Sequence, residues 1–265
     1  MACYPTNTNY ILFFYIYCMI VKSKTRPSTA QRLTMPHDII HNELAVLERQ
    51  LPNRPLHILE LGCGKASLAR QLLAAQPAHQ YTGLEVDHIQ HQLNLAQPQA
   101  GMQFRLAGAQ AIPAENQQYD LVLMLKSLHH VPVADMDQAL GEIARVTRDG
   151  GLLYVSEPVY AGPLNDIVRL YNDEGTVREA AQTALDRALQ TGLWWQTICY
   201  HFNMPVHFDS FDTFETRMMR PTFADHQLDE DKVGRVRAAF APYCSANGAD
   251  FMRPMLVRCL QRQAG

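Results

Sequence analysis

The chain has 265 residues, 47% of them hydrophobic and 18% charged, with a net charge of −3. That length allows one large domain, or one domain plus an extension, and the composition is that of a globular protein. Acids and bases are mixed throughout, which argues against a chain held mainly by phosphate contacts; no nucleic-acid partner is expected. The six cysteines contain no C-x-x-C pair, so neither a zinc site nor a redox dithiol is indicated, and a reducing, cytoplasmic setting is expected.

Residues 10–21 are apolar and aromatic but too short to span a bilayer comfortably, and no basic residue precedes them as a secretory signal requires. Three readings stay open: a non-native leader ahead of a biological start at Met35, a membrane-surface anchor, and a core or lid segment. Residues 1–35 are set apart as a leader and 36–265 as one domain. Asp38 is positioned to cap a helix reaching Gln50. Residues 57–61 then read as a buried strand, followed by a glycine turn and a helix from Ser67. Residues 80–86 are a second strand, with Asp87 capping the next helix. Residues 102–106 and 119–125 are the third and fourth strands. A helix over 134–147 carries Met136, Leu140, Ile143 and Ala144 at helical spacing, and 152–156 is the fifth strand. Short apolar strands alternating with helices predict a doubly wound, mostly parallel sheet.

Past strand five the rhythm changes. Residues 164–171, 176–189, 210–219 and 231–243 look helical, 201–208 strand-like, and 254–262 is read as a closing edge strand. A helical cover, 159–250, is therefore expected over the crevice of a 57–158 core.

In an open parallel sheet, ligands lie beyond the C-terminal ends of the strands. Strand one ends in Glu60-Leu61-Gly62-Cys63-Gly64. The glycines permit a tight turn and close backbone approach. Glu60 places a carboxylate there, which suits an ammonium or sulfonium better than a pyrophosphate. Strand two ends in Glu85, 21 residues beyond Gly64, a spacing at which an acid reaches a ribose.

Four stretches now line up: "ILELGCGKA", "YTGLEVD", "FRLAGAQAIPAENQQYDLVLMLKSLHHV" and "ARVTRDGGLLYVSEP". Together residues 57–158 resemble a class I S-adenosylmethionine (SAM)-dependent methyltransferase of the small-molecule branch. The resemblance implies a Rossmann-like, seven-stranded sheet whose last strand is antiparallel, with SAM as cofactor and a small-molecule acceptor. It implies that Glu60, Gly62, Cys63 and Gly64 flank the methionine part. Glu85 would hold the ribose and Val86 flank the adenine, while Lys126 and Ser127 line the methionine side. Gly108 and Ala109 occupy the place where the family often has an adenine-binding aspartate, so backbone groups or Gln110 take that role. His130, Glu157 and Tyr160 are candidate catalytic groups, since histidine ionises near neutrality and the other two finish strand five. No histidine pair has a third ligand at recognised spacing, so no metal is expected. Alternative functions are an RNA or protein methyltransferase, a SAM-binding protein without catalysis, and an NAD-dependent oxidoreductase, which Glu60 disfavours.

Overall fold

The computed structural model describes residues 38–264, and the apolar stretch 10–21 and the Met35 boundary lie outside them. The first five strands are β1 (His57–Leu61), β2 (Gln80–Glu85), β3 (Met102–Leu106), β4 (Tyr119–Leu125) and β5 (Thr147–Pro158). They pair in parallel. Three more follow: β6 (Trp194–Phe208), β7 (Cys244–Ser245) and β8 (Gly248–Arg262). Their order in space is β3-β2-β1-β4-β5-β8-β6, with β7 pairing off β8.

The sequence explains why the inner strands sit where they do. All of β4 except its last residue is buried, and its apolar run is unbroken after Asp120, as expected of a strand covered on both faces. At the sheet's edge β3 is half-exposed. Helices α1 (Leu44–Glu48), α2 (Ser67–Ala75), α3 (His88–Leu95) and α4 (Met136–Val146) flank this half of the sheet. The predicted stripe Met136, Leu140, Ile143 and Ala144 is buried against Leu59, Leu61 and Val122. Asp87 caps α3 by accepting from the Ile89 amide at 2.9 Å.

The expected closing edge strand is a correction. β8 is 15 residues long and lies inside the sheet, antiparallel to β5 on one side and to β6 on the other. Its residues Met255–Leu260 are buried without interruption, the pattern of an interior strand. The outer position falls to β6, which runs through the interval read as a cover. The remainder of that interval is helical: α5 (Pro163–Val168), α6 (Gly175–Gln190), α7 (Phe211–Phe214) with a π turn over Glu215–Met219, and α8 (Glu230–Phe240). Phe208, Phe211, Phe214, Phe240 and Phe251 form an apolar core of their own here.

The first helix is a second correction. It spans Leu44–Glu48, and its first amide, Leu44, is capped by the Asn42 side chain at 3.0 Å. Asp38 does not cap it. Instead Ile39 bridges Asn203 of β6, and the Tyr200 hydroxyl donates to Asp38 at 2.8 Å. Pairing with the outer strand holds this segment extended, which outweighs a weak local helix signal. Among the described residues no helix is long and apolar enough to cross a membrane.

At the opposite end of the sheet Asp120 ties the strands together. Its carboxylate accepts from the His57 amide at 2.8 Å, from Arg54 at 3.0 Å and from Arg148 at 2.7 Å. Burial pushes this carboxyl up, but the amide and the two guanidiniums outweigh it and hold its pKa below the usual aspartate range. A depressed folded pKa contributes stability that is present above the ordinary value and lost as pH falls through the folded one. Asp120→Asn should therefore lower stability by about 1–3 kcal/mol at neutral pH. The deficit should shrink below about pH 4, as followed by urea titrations of both proteins across the acid range; a deficit independent of pH would remove the charge from this explanation.

Candidate active site

The strand ends converge where β1 and β4 part, the point at which the chain order reverses. Gly62 and Gly64 adopt φ of +64° and +49°, a left-handed turn open to glycine at little cost. A Cβ on Gly62 would lie 2.9 Å from the Ser127 Cβ, whereas one on Gly64 would meet nothing within 4 Å. The first glycine thus lets β1 and β4 approach, and the second leaves an open cradle. The Ser127 hydroxyl donates to the Leu61 carbonyl at 2.7 Å, joining the two strand ends. Lys126, also left-handed at φ +60°, anchors its amide on the Ser156 carbonyl.

Glu85 is buried and turned into this loop. Its carboxylate accepts from the Gly64 amide at 2.7 Å, the Val86 amide at 2.8 Å and the Asp87 amide at 3.0 Å. Val86 beside it is 62% exposed, and Ile89 and Leu106 are also exposed, so an apolar platform adjoins the carboxylate. Cys63 is buried with its sulfur toward Asn94, whose amide donates to the Gly64 carbonyl at 2.7 Å. Ala109 is buried, and the Gln110 side chain lies over Gly108, its Oε1 2.5 Å from where a Cβ would stand. No acid replaces the missing aspartate at that point.

Glu60 is 3% exposed and accepts from the Tyr81 hydroxyl at 2.7 Å. Burial raises its pKa to about 7; the Tyr81 hydrogen bond and Lys126 pull down, while Glu43 and Glu85 push up. Glu43, on the segment entering α1, is buried, 3.3 Å from Lys126 Nζ, and accepts from Tyr154. Three buried carboxyls, Glu43, Glu60 and Glu85, thus interact with one another beneath the glycine turn, and Lys126 pairs with Glu43 and draws on Glu60. Glu43 was not legible in the sequence, because its place here is set by a contact 83 residues away.

A crevice of about 810 Å³, including its open mouth, adjoins this turn and is lined by residues from Lys126 to Pro254. His130 lines it with its ring against His129 and Phe223. Crowding of that ring and the neighbouring His129 push its pKa down to about 4. Glu157 is buried behind His129: it accepts from the Leu128 amide at 2.9 Å and pairs with His129 Nδ1. His129 Nε2 lies 3.8 Å from Glu174. Glu174 is in turn held by Arg178 and by Asn172 at 2.9 Å. Burial pushes the Glu174 carboxyl up, but Arg178 and His129 leave it below the usual range. The ligand-capable atoms of His129, His130 and Glu174 lie within 4.8 Å of one another, but Glu157 and Arg178 already engage two of the three. Tyr160 is a correction to the sequence reading: it does not line the crevice, because its hydroxyl donates to Asp173 at 2.8 Å. Sequence reasoning missed Glu174, whose surroundings depend on how α6 packs back on the strand ends.

Residues 58–151 match a family profile described as a methyltransferase domain. Over these residues the chain carries a methyltransferase domain. Its mostly parallel sheet agrees with the solved structure of the YcgJ protein from Bacillus subtilis, with a TM-score of 0.59 and 17% identity over 84% of this chain and 99% of that one. An O-methyltransferase of Aspergillus nomiae is 35% identical over 42% of this chain and 50% of its own length. A fatty-acid O-methyltransferase of Mycolicibacterium smegmatis is 33% identical over 42% and 39%, and methyltransferase GfsG of Streptomyces halstedii is 29% identical over 42% and 40%. The chain thus spans half or less of the curated relatives it matches.

The methyltransferase domain's turn makes a specific demand on Gly62. Gly62→Ala should cost about 1–3 kcal/mol through its left-handed φ and the Ser127 contact. Gly141→Ala, in α4 with open space around it, should be neutral or stabilising. Thermal unfolding of the two variants checks this; equal melting temperatures would mean the turn relaxes freely.

Proposed function

We propose that the chain transfers a methyl group from SAM to a small-molecule acceptor. The observation that carries this reading is the cluster of three buried carboxyls, Glu43, Glu60 and Glu85, at an open glycine turn. Such a site repels a pyrophosphate and suits a ligand bearing an ammonium and a sulfonium, so it supports SAM over NAD. The residues fit that group in other respects. Gly64 leaves its loop open, Glu85 can exchange backbone amides for ribose hydroxyls, and Val86 offers an apolar face for adenine. When bound, SAM supplies an electrophilic methyl group on sulfur.

The chain's own residues then bring acceptor and cofactor site together, which accounts for much of the rate in such transfers. Two relatives are named O-methyltransferases, which supports an oxygen acceptor. A hydroxyl acceptor needs a base. His130, at a pKa of about 4, is a weak one. His129 is better placed: Glu157 orients it through Nδ1, leaving Nε2 for a proton from the crevice. Glu157 acts as a positioning residue behind it. Exchange of His129 for glutamine should lower kcat for a hydroxyl acceptor about 100-fold or more while SAM affinity stays within about twofold, measured by methyl-transfer assay and calorimetry.

The cofactor reading has a direct test in calorimetry with SAM, S-adenosylhomocysteine and NAD. SAM and S-adenosylhomocysteine should bind and Glu85→Ala should weaken both; binding of neither sinks the proposal. The pH dependence has a defined sign. Glu60, raised above its ordinary value, stabilises the ligand-free fold at low pH and loses that contribution as pH rises through about 7. A cation bound nearby favours its ionised form, so SAM binding should release a proton near neutrality and tighten as pH rises through that range. Glu60→Gln should abolish the slope, and a slope that survives the substitution would locate the proton elsewhere.

A further inference from the structure

The crevice beside the cofactor turn has an unbalanced charge. Its lining side chains include Lys126, Arg178, Arg217 and Arg253, but Glu174 is the one carboxylate among them. Three of the cations have partners. Lys126 meets Glu43 at 3.3 Å, Arg178 holds Glu174 and donates to Asn165 at 3.0 Å, and Arg217 donates to the His207 carbonyl at 3.1 Å while lying over the Phe208 ring.

Arg253 differs. It stands on β8 next to Pro254, and among the described residues no carboxylate lies within 4 Å of it. Its one hydrogen-bond contact is the Met218 sulfur at 4.0 Å, a weak acceptor. Desolvation and the neighbouring Arg178 and Arg217 push its pKa down to about 10 against the pull of Tyr171 and Glu174, so it stays charged at neutrality. A half-buried guanidinium with no carboxylate in salt-bridge reach is open to an anion, and its five donors form a planar fork matched to carboxylate and phosphate oxygens. Arg178 adds a buried Nε that also lacks a partner. Apolar side chains share the wall with polar ones: Leu164, Val168, Met218 and Phe223 face the same space as His129, His130, Asn165, Asn172 and His226.

From this arrangement we infer that the methyl acceptor is an amphiphilic organic anion, a carboxylate or a phosphate monoester on an apolar body, with Arg253 receiving its charged group. The apolar side chains of the wall hold the remainder, and Arg178 and Arg217 add to the positive field. The word acceptor rests on the methyl-transfer reading; the anion site itself does not.

Binding of octanoate, octyl phosphate and octanol to the full chain saturated with S-adenosylhomocysteine tests the inference by calorimetry. At least one anion should bind tenfold or more tightly than octanol, and the better of the two identifies the headgroup. Arg253→Met should remove that advantage, Arg253→Lys should keep part of it, and S-adenosylhomocysteine affinity should be unchanged in both, which also reports folding. Octanol binding as tightly as both anions, or an Arg253→Met protein that retains the anion preference, overturns the inference. Should Arg253→Met fail to fold, the comparison of anion with octanol in the unaltered chain decides. Loss of S-adenosylhomocysteine binding alone would defeat the methyl-transfer reading and leave the anion result standing.

Discussion

The structure turns on the place where β1 and β4 part. Parallel strands that are neighbours in a sheet must send their connections somewhere, and here one chain leaves toward α2 while the other leaves toward α4. The Ser127 hydroxyl holds the two ends together through the Leu61 carbonyl, and Gly62 is small enough to let them meet. Everything that carries chemistry is arranged around that junction. Glu60 and Glu85 are carried by the strands on one side, Lys126 and His129 by the strand on the other. The glycine turn and the crevice adjoin because one strand pair bounds both.

Electrostatics divides those two spaces. Beneath the glycine turn, buried carboxyls outnumber the single lysine. Across Lys126, the crevice reverses the balance, with three guanidiniums and one carboxylate. Lys126 and the His129–Glu157 pair lie at the boundary. A cationic cofactor and an anionic acceptor would each find a complementary field within one continuous crevice, and neither would fit the other's half. A chain whose net charge is only −3 conceals this separation, because the two sets of charges nearly cancel in the sum.

Much of the sheet was legible because its inner strands must be apolar on both faces. The runs at β1, β4 and the core of β5 can hardly be anything else once helices alternate with them. The glycine turn and Glu85 were readable for a related reason, since backbone approach and ribose spacing leave local marks. What was not legible depends on distant pairing. The apolar run of β8 looks the same whether it closes the sheet or sits within it, and β6 is too mixed in burial to declare itself an outer strand. Asp38 carried a local helix-cap signal that lost to the pairing of its segment with β6. Glu43 and Arg253 look like ordinary surface charges in the sequence, and only tertiary contacts bring them to the site. Tyr160 followed the right strand but turned toward Asp173, an outcome that strand alternation alone did not settle.

The interior position of β8 also bears on how the molecule is made. β6 emerges from the ribosome some fifty residues before the strand that must separate it from β5, and among the described residues it pairs with β8 and, at one bridge, with Ile39. Until β8 arrives, β5 and β6 lack the strand that joins them. The first four strands can associate during synthesis, but the arginine-lined half waits for β8. Arg253 is therefore installed by the same late step that joins β6 to the sheet.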